Sequence, residues 1–149
     1  MALIDLEELP QGPILALDPG SKTIGVAACG ATRGLATPVE TIQRTKFTAD
    51  AARIFQLYDE RKAVGLVIGL PYNMDGTEGA RAQSSRALAR NLLGLRDIPI
   101  IFQDERLSTF EATEALIAAG MRRERRKEVI DAHAAANILR SVLDRLEHL

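Results

Sequence analysis

Two hydrophobic periodicities alternate along the chain. Short apolar or alternating runs, typical of strands, cover residues 14–17, 24–29, 35–42, 64–70 and 98–102. Apolar positions at helical spacing begin at residues 47, 77, 108 and 128. The order predicts three antiparallel strands, a helix, a strand, a helix, a strand and two final helices. We therefore expect one α/β domain around a five-stranded mixed sheet, flanked by helices.

Prolines and glycines refine this arrangement. Pro38 removes a ladder donor, which predicts that the strand over residues 35–42 lies at a sheet edge. The run at residues 64–70 is apolar at every alternate position on both faces and ends at Pro71, as expected for an interior parallel strand. Gly94 is the predicted stop of the second helix, which is expected to span about residues 77–93. Ligands are expected at the carboxyl ends of the parallel strands.

Composition is that of a soluble globular protein. The chain has 149 residues, of which 46% are hydrophobic and 26% charged. We expect a flexible lead-in over residues 1–12 and a single domain over residues 13–149. The longest apolar run, residues 63–70, is too short to cross a membrane, and the acidic amino end is unlike a secretory signal. Cys29 is the single cysteine, which agrees with a reducing cytoplasm.

Asp18 follows the first apolar run directly and precedes a Pro-Gly-Ser turn. An acid at the end of a buried strand is costly unless something pairs with it, and a metal ion is a common partner. Asp is also common at turns of this kind, so the pattern alone favours neither interpretation.

Three further acids are candidates. Asp131 shares a helical face with Ala135, Ile138 and Val142, which predicts that it points inward, although an acid near a helix start also suits the helix dipole. Asp104 and Glu105 both follow the last strand, and pleating sends them to opposite sides without indicating which faces the site. Three inward carboxylates at one end of a sheet suit Mg²⁺ or Mn²⁺.

Charge is balanced overall but unevenly distributed. The formal net charge is -1, and a dense basic segment precedes the last predicted helix, comprising Arg122, Arg123, Arg125, Arg126 and Lys127. Such a run forms either a phosphate-binding patch or a solvated loop, and charge runs are more often solvated loops.

Four segments together resemble the YqgF family, the RuvX-like pre-16S rRNA nucleases related to Holliday junction resolvases. They are LDPGSKTIGVA at residues 17–27, GLPYNMDGTEG at 69–79, DERLST at 104–109 and DAHAA at 131–135. The third segment is the most specific, and the resemblance covers nearly the whole chain after the first dozen residues.

The resemblance implies a ribonuclease-H-like fold and a cytoplasmic, metal-dependent nuclease that acts in 5′-end processing of precursor 16S rRNA. It implies that Asp18, Glu105 and Asp131 are both the catalytic acids and the ligands of two Mg²⁺ or Mn²⁺ ions, and so selects Glu105 over Asp104. Two such ions activate a water molecule and stabilise the leaving oxygen. The family usually has a small residue at the position of His133, which is therefore given no catalytic role.

Candidate nucleic-acid contacts follow from the same resemblance. Lys22, Asn73 and Arg106 are candidates for phosphate contacts, and turn or surface roles explain them equally well. The resemblance also favours a nucleic-acid contact for the basic segment that contains Arg122, Arg123, Arg125 and Arg126.

Expected partners are precursor rRNA or branched DNA, and ribosomal assembly intermediates. A monomer is favoured over a homodimer because no coiled-coil repeat or long exposed apolar helix is evident. One alternative function is a Holliday junction resolvase, and another is a non-catalytic RNA-binding domain of the same fold. A third, a nucleotide-binding fragment like one domain of the actin and sugar-kinase ATPases, is disfavoured because those proteins need two such domains.

Overall fold

The computed structural model describes residues 4–73, 75–104 and 123–147, with side chains in the last stretch described from residue 132 onwards. Five strands are present in these residues: β1 (Ile14–Pro19), β2 (Thr23–Cys29), β3 (Thr37–Gln43), β4 (Gly65–Leu70) and β5 (Ile100–Asp104). Three α-helices accompany them: α1 (Phe47–Glu60), α2 (Ala80–Leu95) and α3 (Arg123–Glu147). No helix in these ranges is long and apolar enough to span a bilayer.

The strands form one sheet in the order β3-β2-β1-β4-β5. β1 pairs antiparallel with β2 and parallel with β4, and β5 extends the parallel half. The predicted mixed sheet is therefore confirmed, with β3 at one edge and β4 inside. The register places Leu17 beside Ile68, and Ile68 beside Phe102, so the three parallel strands end together.

The sheet has a hydrophobic core on each face. Leu15 and Leu17 pack in one cluster with the buried faces of α1 and α2, whereas Ile14 and Ala16 pack in a second cluster with α3. Successive side chains of a strand point to opposite faces, so β1 supplies both cores alternately. All six residues of β1 are buried, as expected of the central strand.

The described part of the predicted lead-in, residues 4–12, is not a flexible segment, because its leucines pack against the second core. Residues Leu6–Glu8 form a 3₁₀ turn, and Leu6 and Leu9 are 8% and 7% exposed within the cluster that contains α3. The Ile4 amide donates to the Ile100 carbonyl at 3.0 Å. The acids and prolines of this segment predict a loose chain, but its leucines cover an open end of the core.

Several element boundaries differ from the prediction. α2 begins at Ala80 rather than near residue 77, because the preceding loop is held by its own hydrogen bonds and Gly76 has a φ of +88°. Gly94 does not stop α2, which continues to Leu95. β3 and β5 each begin two residues later than predicted. β5 also ends two residues later, at Asp104.

The prediction that the basic segment is a loop, with a helix starting near Glu128, is wrong for residues 123–127. Their backbone is already helical, so α3 spans 25 residues. Arg, Glu and Lys have high helix propensity, which the charge run obscures. The helix predicted from residue 108 to 119 lies outside the described residues.

Ser85 on α2 is fully buried, and its hydroxyl has no hydrogen-bond partner among the described residues. A buried hydroxyl without a partner costs roughly 1–3 kcal/mol. Ser85→Ala is therefore expected to raise the free energy of unfolding by about 1 kcal/mol more than Ser84→Ala, measured by urea denaturation. Ser84 is its exposed neighbour and controls for the gain in helix propensity. Equal changes in the two variants would contradict a cost of burying the Ser85 hydroxyl.

Candidate active site at the carboxyl end of the sheet

Asp18 is the penultimate residue of β1 and is only 8% exposed. It lies between β2, where it pairs with Gly25, and the end of β4. Asp18 has the same strand parity as Ile14 and Ala16, so it lies on the face covered by α3. The sequence therefore folds so that a carboxylate ends the central strand, at the edge where α/β sheets bind ligands.

The β1–β2 turn directly follows Asp18. The Gly20 amide donates to the Thr23 carbonyl at 2.7 Å, which closes the turn. The Gly20 carbonyl accepts a hydrogen bond from Arg44 Nη1 at 2.6 Å, and the Arg44 amide donates to the Lys22 carbonyl at 2.9 Å. Lys22, a predicted phosphate contact, is exposed in this turn.

Arg81 is a site residue that the sequence reasoning missed. Its Nη2 donates to the Pro19 carbonyl at 3.3 Å and lies 4.0 Å from Asp18 Oδ1, while 59% of the side chain is exposed. It comes from the first turn of α2, just after the loop that follows β4. Its position in the sequence gave one signal, since a cation there falls at the carboxyl end of the sheet.

The loop after β4 is tightly hydrogen-bonded. Asn73, a predicted phosphate contact, is exposed and donates from Nδ2 to Thr77 Oγ1 at 3.0 Å, and its amide donates to the Thr77 carbonyl at 2.7 Å. Thr77 donates from its hydroxyl and its amide to Asp75, which lowers the pKa of that carboxyl. Asn73 therefore has a structural role in shaping this loop.

The base of the same loop is fixed to α2. Glu78 accepts two hydrogen bonds from Arg86, at 2.6 and 3.0 Å, and this contact lowers the pKa of the Glu78 carboxyl. The Arg86 guanidinium also lies 5.1 Å from the Phe102 ring centroid, so the loop, α2 and β5 are tied together.

Asp104 ends β5 on the face opposite to Asp18. It has the parity of Ile100 and Phe102, which pack in the cluster with α1 and α2. Gln103 has the parity of Ile101, which packs in the α3 cluster, and Gln103 Oε1 accepts a hydrogen bond from Arg145 of α3 at 2.5 Å. The structure therefore does not bring Asp104 to the side of the sheet that carries Asp18.

The other predicted site residues are described only in part or not at all. Asp131 lies on the backbone of α3, as do Arg123, Arg125 and Arg126, and their side chains are not described. Glu105, Arg106 and Arg122 lie outside the described residues. Within the described residues, no group of three or more acidic, His or Cys side chains is placed to hold a metal ion. Of the three predicted catalytic acids, Asp18 is the one whose carboxylate is described.

Comparisons with known proteins agree on the kind of fold and family. The family model described as RuvX: Holliday junction resolvase matches residues 12–145. A Phenylobacterium zucineum protein named "Putative pre-16S rRNA nuclease" is 54% identical over 156 residues, covering 100% of both chains. A Bradyrhizobium sp. protein of the same name is 58% identical over 139 residues, covering 93% of this chain and 86% of its own.

A solved structure supports the same fold. The Thermus thermophilus RuvC structure superposes with a TM-score of 0.54 at 13% identity, covering 91% of this chain and 96% of its own. At that identity the likeness concerns the fold alone, which is the ribonuclease-H-like fold of RuvC-type resolvases.

Proposed function

Because the chain belongs to the RuvX Holliday junction resolvase family, it is a hydrolase acting on phosphodiester bonds, and we propose that it needs a divalent metal and processes the 5′ end of precursor 16S rRNA. The proposed metal ligands and catalytic acids are Asp18, Glu105 and Asp131. The phrase pre-16S rRNA nuclease in the names of relatives at 54–58% identity supports the substrate.

The observation that carries the proposal is the Asp18 carboxylate. It is buried at the end of the central strand, at the carboxyl edge where sheets of this type bind ligands. A carboxylate is a hard oxygen ligand that suits Mg²⁺ or Mn²⁺, and burial of such a charge is favourable when a cation is coordinated. The chemistry of the donor therefore fits a divalent cation.

The direction of α3 supports Asp131 as a second ligand. Leu143 and Leu146 line a cavity together with Gln11 and Arg33, which lie at the amino end of β1. The axial distance from Leu143 back to Asp131 is about 18 Å, at 1.5 Å per residue. Residues 12–18 of an extended chain span about 20 Å. A helix antiparallel to β1 is therefore long enough to reach the level of Asp18 at Asp131, which supports Asp131 as a ligand.

Bound divalent ions supply an activated water molecule and charge stabilisation at the phosphodiester group. The residues of the chain have separate tasks in this proposal. Asp18, Glu105 and Asp131 hold the ions, while Arg81 lies 4.0 Å from Asp18 and supplies positive charge next to the carboxylate. The α3 and α1/α2 cores hold β1 rigidly, which keeps Asp18 in a constant position.

A comparison of substrates tests the proposed function. We expect the purified protein with Mg²⁺ or Mn²⁺ to cleave single-stranded precursor RNA faster than an intact four-way DNA junction of matched length, and chelation to abolish cleavage. A junction resolvase cuts two symmetric strands and normally needs a two-fold dimer. A stable dimer that cuts junctions symmetrically and spares RNA would show that the substrate is branched DNA.

The basic segment over residues 122–126 is proposed to contact the RNA backbone. Replacing Arg122, Arg123, Arg125 and Arg126 by Gln is expected to weaken RNA binding and to lower its salt dependence by about 0.7 for each phosphate that the variant no longer neutralises. Fluorescence anisotropy of a labelled oligonucleotide across a salt series measures both. An unchanged salt slope would show that this segment is a solvated surface.

A further inference from the structure

The turn after Asp18 is held between two guanidinium groups. Arg81 donates to the Pro19 carbonyl at 3.3 Å, and Arg44 donates to the next carbonyl, that of Gly20, at 2.6 Å. Arg44 follows β3 and Arg81 lies in the first turn of α2, after β4, and β3 and β4 flank the β1–β2 pair on opposite sides. Lys22 lies exposed in the same turn.

Arg44 differs from three other arginines of the described chain in the group that holds its guanidinium. Arg53, Arg86 and Arg96 are each paired with a carboxylate, at 2.5 to 2.7 Å, and their charge is compensated. The Arg44 guanidinium donates to the Gly20 carbonyl, which orients it without cancelling its charge. Arg81 donates to the Pro19 carbonyl and also lies 4.0 Å from the Asp18 carboxylate, which balances part of its charge. Lys22 and Arg44 form no ion pair with a carboxylate of the described residues.

We propose that Arg44, Lys22 and Arg81 form a phosphate-binding track that crosses the β1–β2 turn and holds the sugar-phosphate backbone of the substrate strand over Asp18. A guanidinium with one edge fixed to a carbonyl keeps its remaining donors in a set direction and matches the geometry of a phosphate. Because the contacts reach phosphates, the track binds a strand without selecting its sequence.

The proposal rests on the proposed function only in placing the cleaved bond beside the track. RNA binding is therefore measured separately from cleavage. The probe is a labelled single-stranded RNA of about 20 nucleotides, in chelator, titrated across a salt series. Arg44→Gln and Arg81→Gln are each expected to lower the salt slope by about 0.7, and the double variant to bind about tenfold more weakly at low salt. Arg90→Gln is the matched control, an exposed arginine further along α2.

Arg44 also supports the turn, so two variants separate charge from structure. Lys22→Gln removes an exposed cation that makes no described side-chain contact and is expected to lower the slope equally. Arg44→Lys keeps the charge and is expected to retain most of the slope. Equal slopes in the wild-type protein, Arg44→Gln and Arg81→Gln, or an equal decrease in Arg90→Gln, would overturn the track.

The outcomes also distinguish the two proposals. If the variants lower the salt slope of RNA binding as expected but the wild-type protein shows no metal-dependent cleavage, the track is retained and the proposed function is rejected. If Arg44→Gln and Arg81→Gln cleave RNA in the presence of metal with the same KM as the wild-type protein, the proposed function is retained and the track is rejected. Repeating the titration with a four-way DNA junction shows whether the same cations bind branched DNA as tightly as RNA.

Discussion

Replacing Asp18 by Asn is expected to reduce metal-dependent cleavage by more than about 100-fold while leaving the protein folded. Residues that only support a metal ligand typically contribute about 10–100-fold, so loss of a direct ligand should exceed that range. Asn keeps the size of the side chain but has a neutral amide, which binds a divalent ion more weakly than a carboxylate. Single-turnover cleavage of precursor RNA, with and without added metal, measures the effect.

The same substitution has an opposite expected effect on stability. Asp18 is 8% exposed, and a buried carboxylate without bound metal loses much of its hydration. We therefore expect an unchanged or higher free energy of unfolding in chelator, together with RNA binding as tight as in the wild-type protein. Full cleavage by the Asn variant would remove Asp18 from the catalytic acids. Loss of activity together with loss of the fold would give Asp18 a structural role instead.

The fold was predictable from the sequence where the hydrophobic pattern had a single explanation. The run that forms β4 is apolar on both faces, and only an interior strand accommodates it. Pro38 likewise indicates the edge position of β3. By contrast, the start of α3 is hidden because a run of charges resembles a solvated loop, although the same residues are good helix formers.

Asp18 could be predicted at the end of β1 from the sequence, whereas the arginines beside it could not. Asp18 stands out because an acid directly follows a buried strand. Arg44 has no comparable signal in the sequence, and Arg81 has only its place after β4, because their role depends on two carbonyls of the β1–β2 turn that are distant along the chain. Side-chain contacts between remote segments form only once the sheet is assembled, so local pattern carries no trace of them.

The neighbouring acids at the end of β5 are expected to differ sharply. Glu105→Gln should lower cleavage by more than about 100-fold, as expected for a metal ligand, whereas Asp104→Asn should change it by less than about tenfold. The reason lies in Asp104, which shares strand parity with Ile100 and Phe102 and so lies on the α1/α2 face, opposite to Asp18. Both variants remove one charge at adjacent positions, so each is a matched control for the other.

The measurement is the dependence of the cleavage rate on Mn²⁺ concentration for both variants. Loss of a ligand raises the metal concentration needed for half-maximal rate, whereas a change of surface charge alone shifts both variants equally. An equal decrease in the two variants would mean that charge near the end of β5, not coordination, is required. A larger decrease in Asp104→Asn would mean that the metal lies on the α1/α2 face, and Asp18 could then not be its ligand.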